Sequence, residues 1–257
     1  MMLKIDKGRW QYWFYASWFK IAVRYRKTLL GPIWLVVGPL VFVVMLGLLY
    51  SVIMKVDLAV YVPHLAIGII IWSLIVSFMN SGTDVVYHNR PQIVHSGMKV
   101  LDLVMVNLFI SLLQFAHHIL VAVGVYIVFR WHMTPYAFVS LIGLALLVIN
   151  GFWYGVVFGI LGARFRDISE IVSALMGVLF FITPILWMPE MEGRGGILGP
   201  YLNLNPFYHF LELIRAPLLG TPIAPLSWIV VIAITVGGLT MAYVFNKKFS
   251  KQLPTWI

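Results

Sequence analysis

Residues 61–81 read YVPHLAIGIIIWSLIVSFMNS, a run without a single Asp, Glu, Lys or Arg. A helix rises 1.5 Å per residue, so about 20 such residues cross the roughly 30 Å hydrocarbon layer of a bilayer. Five more stretches of the 257-residue chain have the same character: 32–54, 103–129, 136–162, 168–188 and 226–245. Composition points the same way. Hydrophobic residues make up 61% of the chain and charged ones 11%, against about 25% charged in soluble domains. Lipid must be the solvent for that much apolar surface. In hydrocarbon every peptide group needs a partner within the protein, and a helix supplies it locally. The chain therefore reads as an all-α integral membrane protein with six transmembrane helices.

The ends of these spans carry the expected residues. Gly31-Pro32 opens the first, with Pro in the first turn, where its missing N–H is harmless. Thr134-Pro135 separates the third from the fourth, and those two are long enough to tilt. Trp131, Trp153 and Trp187 lie at or near predicted ends, as interfacial aromatics do. The first residues lack the apolar core and cleavage site of a signal peptide. Neither repeats nor linkers divide the chain. Residues 1–31 form a cytoplasmic amphipathic segment and 32–257 one membrane domain.

Charge sets the orientation. The formal net charge is +9. With six spans both termini face one side. Placing them in the cytoplasm puts fourteen of the 18 basic residues there, among them Arg24, Arg26, Arg164, Lys247 and Lys248. The acidic residues divide so that the inner face carries the whole excess. This is the positive-inside pattern, and nucleic acid is not needed to explain the basic balance.

Two segments outside the spans stand out. Between residues 8 and 28, Lys20, Arg24 and Lys27 share one helical face. Trp13, Phe14, Ser17, Trp18, Ile21 and Tyr25 make the opposite one, the pattern of a helix lying on a membrane surface. The second segment separates the fifth and sixth spans. Its start, 190–200, is Gly-rich and reads as loop. Asn205 is then an N-cap, Pro206 fits the first helical position, and Pro217 closes a short amphipathic helix at the outer surface, either lying there or re-entrant under a cover of protein or water.

Catalytic sets do not emerge. The chain has no Cys, no HExxH, no GxSxG and no GxxxxGK[ST] phosphate loop. It is not itself a P-loop ATPase. His117 and His118 are about 100° apart on a helix and cannot face one metal; they read as histidines hydrogen-bonded between helices. Asp84 and His88 share a face and read as a helix-end pair. No metal site is expected. In the loop 162–170, Asp167 or Ser169 is placed to cap the next helix. Phe165 is an apolar knob between Arg164 and Arg166, suited to a cytoplasmic partner.

At this point several motifs converge. The run 24–34, RYRKTLLGPIW, resembles the start of the first span in ABC-2 type permeases that export polysaccharides. The loop 164–168, RFRDI, the run 183–187, TPILW, and Asn205-Pro206 followed by 212–215 resemble the same family. The nearest group is the permeases for O antigen, capsule and teichoic acid. The resemblance implies a bacterial inner-membrane homodimer carrying two copies of a separate ABC ATPase, which binds ATP and Mg. It implies export of a lipid-linked polysaccharide, most closely O antigen, from the cytoplasmic side. By the same resemblance, Arg164, Phe165, Arg166 and Asp167 belong to the ATPase-coupling contact, and Arg24, Tyr25, Arg26 and Lys27 to the cytoplasmic gate, where a lipid diphosphate is received. Asn205, Pro206, Tyr208, Glu212 and Arg215 correspond to an extracytoplasmic gate helix. Trp34, Phe42 and Tyr50 of the first span and Phe180, Phe181 and Trp187 of the fifth offer broad, weakly directional contact to sugars. The alternatives are an ABC-2 permease for a drug or lipid, and, in another class, an ion-coupled carrier or channel.

The charge pattern predicts that green fluorescent protein fused after Ile257 fluoresces, while alkaline phosphatase fused there is inactive. The opposite result would reverse the orientation.

Overall fold

The computed structural model describes residues 7–189 and 199–256. Among these the chain is helix and turn, with no strand. The order is α1 (Lys7–Tyr25), α2 (Trp34–Met54), α3 (Leu58–His88), α4 (Arg90–Ser96), α5 (Val100–Phe129), α6 (Ser140–Arg164), α7 (Asp167–Ile182), α8 (Gly199–Leu204), α9 (Pro206–Leu218), α10 (Pro225–Phe249) and α11 (Leu253–Trp256). Short 3-10 turns precede α2, at Gly31–Ile33, and α6, at Pro135–Val139. The first follows Gly31, whose φ of +57° suits a residue without Cβ.

Among the described residues five helices are long and apolar enough to cross a membrane: α2, α3, α5, α6 and α10, with the 3-10 turns before α2 and α6 included. The expected span 168–188 differs. α7 has 16 residues, about 24 Å by helical rise, and stops after Ile182. The reason is local. Pro184 excludes helical backbone at the residue before it, and Thr183 sits at φ −76°, ψ 136°. Residues 183–186 continue without helix and yet are buried. Most of the Gly-rich stretch read as loop lies outside the described residues, and α8 already begins at Gly199.

α3 is the centre. Its 31 residues include twenty that are buried, and α2, α5, α6, α7 and α9 all pack on it. Helices in lipid gain little from hiding apolar surface from one another, so close contact and hydrogen bonds must hold them. Gly151, Gly155, Gly159 and Gly162 line the side of α6 that meets α3 and α5. A Cβ on Gly151 would lie 2.7 Å from the Phe78 ring, and one on Gly82 would lie 3.3 Å from Gly155 Cα. Polar pairs join α3 to α5: Ser73 Oγ to His118 Nδ1 at 2.9 Å, Ser77 Oγ to Ser111 Oγ at 2.7 Å, and Asn107 Nδ2 donating to the Ser81 carbonyl at 2.9 Å.

Three expectations change here. His118 bridges helices as read from sequence, but His117 turns back to the Leu113 carbonyl of its own helix. Trp153 is not at an interface. It lies inside α6 against Gly238 of α10 and donates to Asn150 Oδ1 at 2.6 Å, while Asn150 Nδ2 donates to Thr235 Oγ1 at 2.7 Å. Asp84 and His88 share a face without pairing.

A Cβ on Gly162 runs into the Thr83 carbonyl, a backbone atom that cannot turn aside. Gly162→Ala is expected to lose about 1–3 kcal/mol of stability by overpacking. The control is Gly124→Ala, which meets open space and should leave thermal unfolding in detergent unchanged or slightly improved.

Candidate functional site

The chemistry-bearing residues gather at the two ends of the bundle. One end holds the close of α3, the starts of α5 and α7, and the close of α6 and α10. Here α1 is fastened to α5. Arg9 Nη2 donates to both carboxylate oxygens of Asp102, at 2.6 and 2.8 Å, and Trp13 Nε1 donates to the same group at 3.0 Å. Ser17 Oγ donates to the Val106 carbonyl at 2.8 Å. Trp13, Ser17 and Ile21 are buried at i, i+4, i+8, so part of the face read as lipid-seeking packs on protein instead. Trp10, Phe14, Tyr15, Trp18 and Phe19 remain exposed, as a helix at a bilayer surface requires. Lys20 Nζ reaches Asn89 Oδ1 at 3.2 Å, tying α1 to the end of α3. Partial burial, reinforced by the Asp102 carboxylate, raises the Tyr12 phenol above its usual value, which keeps it a neutral donor toward Met98 Sδ. Arg24, Arg26 and Lys27 are exposed and Tyr25 half-buried, at and just beyond the end of α1.

The loop between α6 and α7 also lies at this end. Phe165 is exposed. The Arg166 guanidinium stands 3.6 Å from the centre of the Tyr87 ring, and Arg164 lies 5.3 Å over the Trp256 ring. A cation over an aromatic face is held electrostatically. The loop is thus clasped between the last turn of α3 and the C-terminal turn. Asp167 is the first residue of α7 and caps nothing by side chain; Ser169 instead accepts from Thr83 Oγ1 at 3.3 Å.

The other end holds a buried polar network. Asn205 caps α9 as expected: its Oδ1 accepts from the amides of Phe207 and Tyr208, and its Nδ2 donates to Thr183 Oγ1 at 2.8 Å. Pro206 is exposed in the first turn. The helix runs past Pro217 to Leu218, and nine of its thirteen residues are buried. It is a helix seated inside the bundle, not one lying on the outer surface. Arg215 is 3% exposed. Its Nη1 donates to the Pro184 carbonyl at 2.5 Å and lies 3.1 Å from His64 Nε2, and its Nη2 donates to Glu212 Oε1 at 2.5 Å. His64 Nε2 also lies 3.2 Å from the Trp187 carbonyl, so this ring nitrogen faces both the guanidinium and that carbonyl. Tyr61 OH donates to the Leu186 carbonyl at 2.6 Å. His209 bridges Ser227 Oγ, at 2.9 Å, and the Asn203 carbonyl, at 3.0 Å. The non-helical run 183–187 thus has its carbonyls met by side chains from α3 and α9, which is why it can stay buried. Tyr208 and Glu212 sit half-buried at the margin.

The aromatics fall into two groups. Trp34, Phe42 and Phe181 are exposed on the outer faces of α2 and α7. Tyr50 is half-buried, Phe180 leans toward Trp72 of α3, and Trp187 Nε1 donates back to the Phe181 carbonyl at 3.1 Å. One chain does not bring them around a shared space. Tyr61, His64, Tyr87 and Asp102 were missed as site residues. His64, an ionisable side chain inside an apolar run, was the one signal available.

These features define a polytopic helical membrane protein with basic loops at one end and a pinned helix at the other. Residues 11–219 match the family described as ABC-2 type transporter, and the chain belongs to that family. Two proteins from Klebsiella pneumoniae named O-antigen export system permease protein RfbA are 26% and 25% identical over 179 residues, covering 66% of this chain and 66% of their own. A protein of the same name from Myxococcus xanthus is 23% identical over 201 residues, covering 77% of this chain and 76% of its own. The chain thus spans about two thirds of the length of the first relatives.

Removing Arg215 leaves Glu212 and the Pro184 carbonyl without their buried donor. Arg215→Met should lose about 3–5 kcal/mol. Arg215→Lys should recover little, because a point charge cannot replace a fork that meets Glu212 and the Pro184 carbonyl at once. Thermal unfolding of the purified variants measures both.

Proposed function

We propose that this permease is the membrane subunit of an ATP-driven exporter that moves lipid-linked polysaccharide, of the O-antigen type, across a bacterial inner membrane. The observation that carries this reading is the shared name of its three relatives, all O-antigen export permeases, beside the family match. ATP and Mg belong to a separate ABC ATPase, present in two copies. Both termini lie in the cytoplasm, and α7 with the run 183–188 serves as the sixth crossing. The permease works as a homodimer. The open apolar faces of α2 and α7, with Val52, Trp34 and Phe181 among their exposed residues, support this reading, since a second copy laid against them encloses a path lined by aromatics.

The two ends suggest how the work is transmitted. Arg164, Phe165, Arg166 and Asp167 form the surface offered to the ATPase. Arg166 rests on Tyr87 in the last turn of α3. α3 is a rod of 31 residues, about 45 Å long, and its first turns hold Tyr61 and His64 against the run 183–187 and Arg215. A push on the loop reaches the Asn205–Arg215 gate through one rigid element. Arg24, Arg26 and Lys27, exposed at the basic end, receive the lipid diphosphate.

In vesicles holding the permease and its ATPase, an Arg166→Ala, Asp167→Ala double variant should assemble normally and lose ATP-driven glycan flux at least tenfold. Undiminished flux would remove the loop from the coupling path. Cells lacking the gene should accumulate lipid-linked polysaccharide on the cytoplasmic side. Normal surface glycan without accumulation would instead favour a drug or lipid cargo.

A further inference from the structure

At the basic end, the start of α1, the turn between α4 and α5 and the last turns of α10 surround a cavity of about 800 Å³. Among the described residues its polar lining is Arg9, Lys99, Lys247, Lys251, Asn246, Ser250 and Tyr243, with no carboxylate. Arg9 is already matched to Asp102. The other three cations are not: among the described residues the Lys99 and Lys251 ammonium groups have no partner, and Lys247 has only the Tyr243 ring, at 5.9 Å. α5 begins at the cavity wall, and no side chain caps its first amides. The start of a 30-residue helix therefore lies beside the same space as these three lysines, with Asp102 of its first turn taken up by Arg9. Like charges around a cavity repel, and a bound anion relieves that repulsion.

Position fixes the kind of anion. The cavity lies where two membrane-spanning helices, α5 and α10, end together, with Tyr243 exposed on the last turns of one of them. That is the level at which phospholipid headgroups meet water, and lysines there attract anionic lipid. The remaining walls include Ile93, Met98 and Leu101, which suit the glycerol and upper chain of a lipid rather than the wet surface of an acidic protein. We propose that this cavity binds the phosphate of an anionic lipid headgroup, with Lys99, Lys247 and Lys251 as its charge partners and Asn246 as a neutral hydrogen-bonding group. Two sources share this chemistry: a membrane phospholipid, and the polyprenyl diphosphate anchor of a cargo. The second source alone rests on the export reading.

The test is native mass spectrometry of the purified full-length permease, titrated from detergent with short-chain phosphatidylglycerol, short-chain phosphatidylcholine and undecaprenyl diphosphate. Retention of phosphatidylglycerol well above phosphatidylcholine, weakened about tenfold in a Lys99→Gln, Lys247→Gln, Lys251→Gln variant, supports a phospholipid site. The same dependence for undecaprenyl diphosphate alone supports the cargo anchor as occupant. Lys248→Gln, a neighbouring lysine outside the cavity, should behave as the unaltered protein, and the triple Lys→Arg variant should keep binding, which separates lost charge from a lost fold. Equal retention of both phospholipids together with no effect of the triple Gln variant on either anion overturns the proposal. So does a loss matched by Lys248→Gln. Absence of anionic lipid binding, with the triple Gln variant failing to hold the ATPase, would assign the cavity to a protein partner instead.

Discussion

Helices dissolved in lipid already have their apolar side chains in an apolar solvent, so burying those side chains against each other gains little. What remains is close contact and hydrogen bonding, and α3 concentrates both. Its contact with α6 depends on positions where α6 has no side chain at all, and Gly162 against the Thr83 carbonyl is the tightest of them. Its contact with α5 depends on serines 73, 77 and 81, one turn apart, each meeting a partner on α5. The other elements are placed by where they touch this helix.

The second consequence concerns a break in the pattern. Pro184 ends α7 early and leaves a stretch of backbone without helical partners inside the bundle. Such backbone is tolerated only when protein supplies the missing bonds. Tyr61, His64 and Arg215 meet its carbonyls, Asn205 holds the Thr183 side chain, and Arg215, a buried cation, in turn needs Glu212. A network of this kind holds the end of α7, the start of α3 and all of α9 as one unit.

At the basic end the fastenings are different in kind. Arg166 on Tyr87, Arg164 over Trp256 and Lys20 on Asn89 lie at or near the surface, where single interactions are weak. Only the Arg9–Asp102–Trp13 group is partly buried and bidentate.

How much of this the sequence carried depends on the range of the interaction. Charge-free runs made the long helices inevitable, because backbone hydrogen bonding in lipid is local and needs only length. The N-cap at Asn205 was legible for the same reason, its two acceptor contacts lying within three residues. Thr183-Pro184 lay in plain view, yet the apolar run around it read as a continuous span, since hydropathy does not register a residue that forbids helix. The amphipathic pattern of α1 gave a helix but not its partner: Trp13 and Ser17 find α5 some ninety residues away. Sequence likewise placed Glu212 and Arg215 on one helix without pairing them, and His64 and the Pro184 carbonyl join Arg215 only through tertiary contact. Composition, five of the six long apolar helices and the end at which charge collects were legible in the chain itself, because each is a property of a local stretch meeting lipid or water. Which polar groups are satisfied by which was decided by the packed bundle, because a hydrogen bond across helices requires two distant segments to arrive at one place.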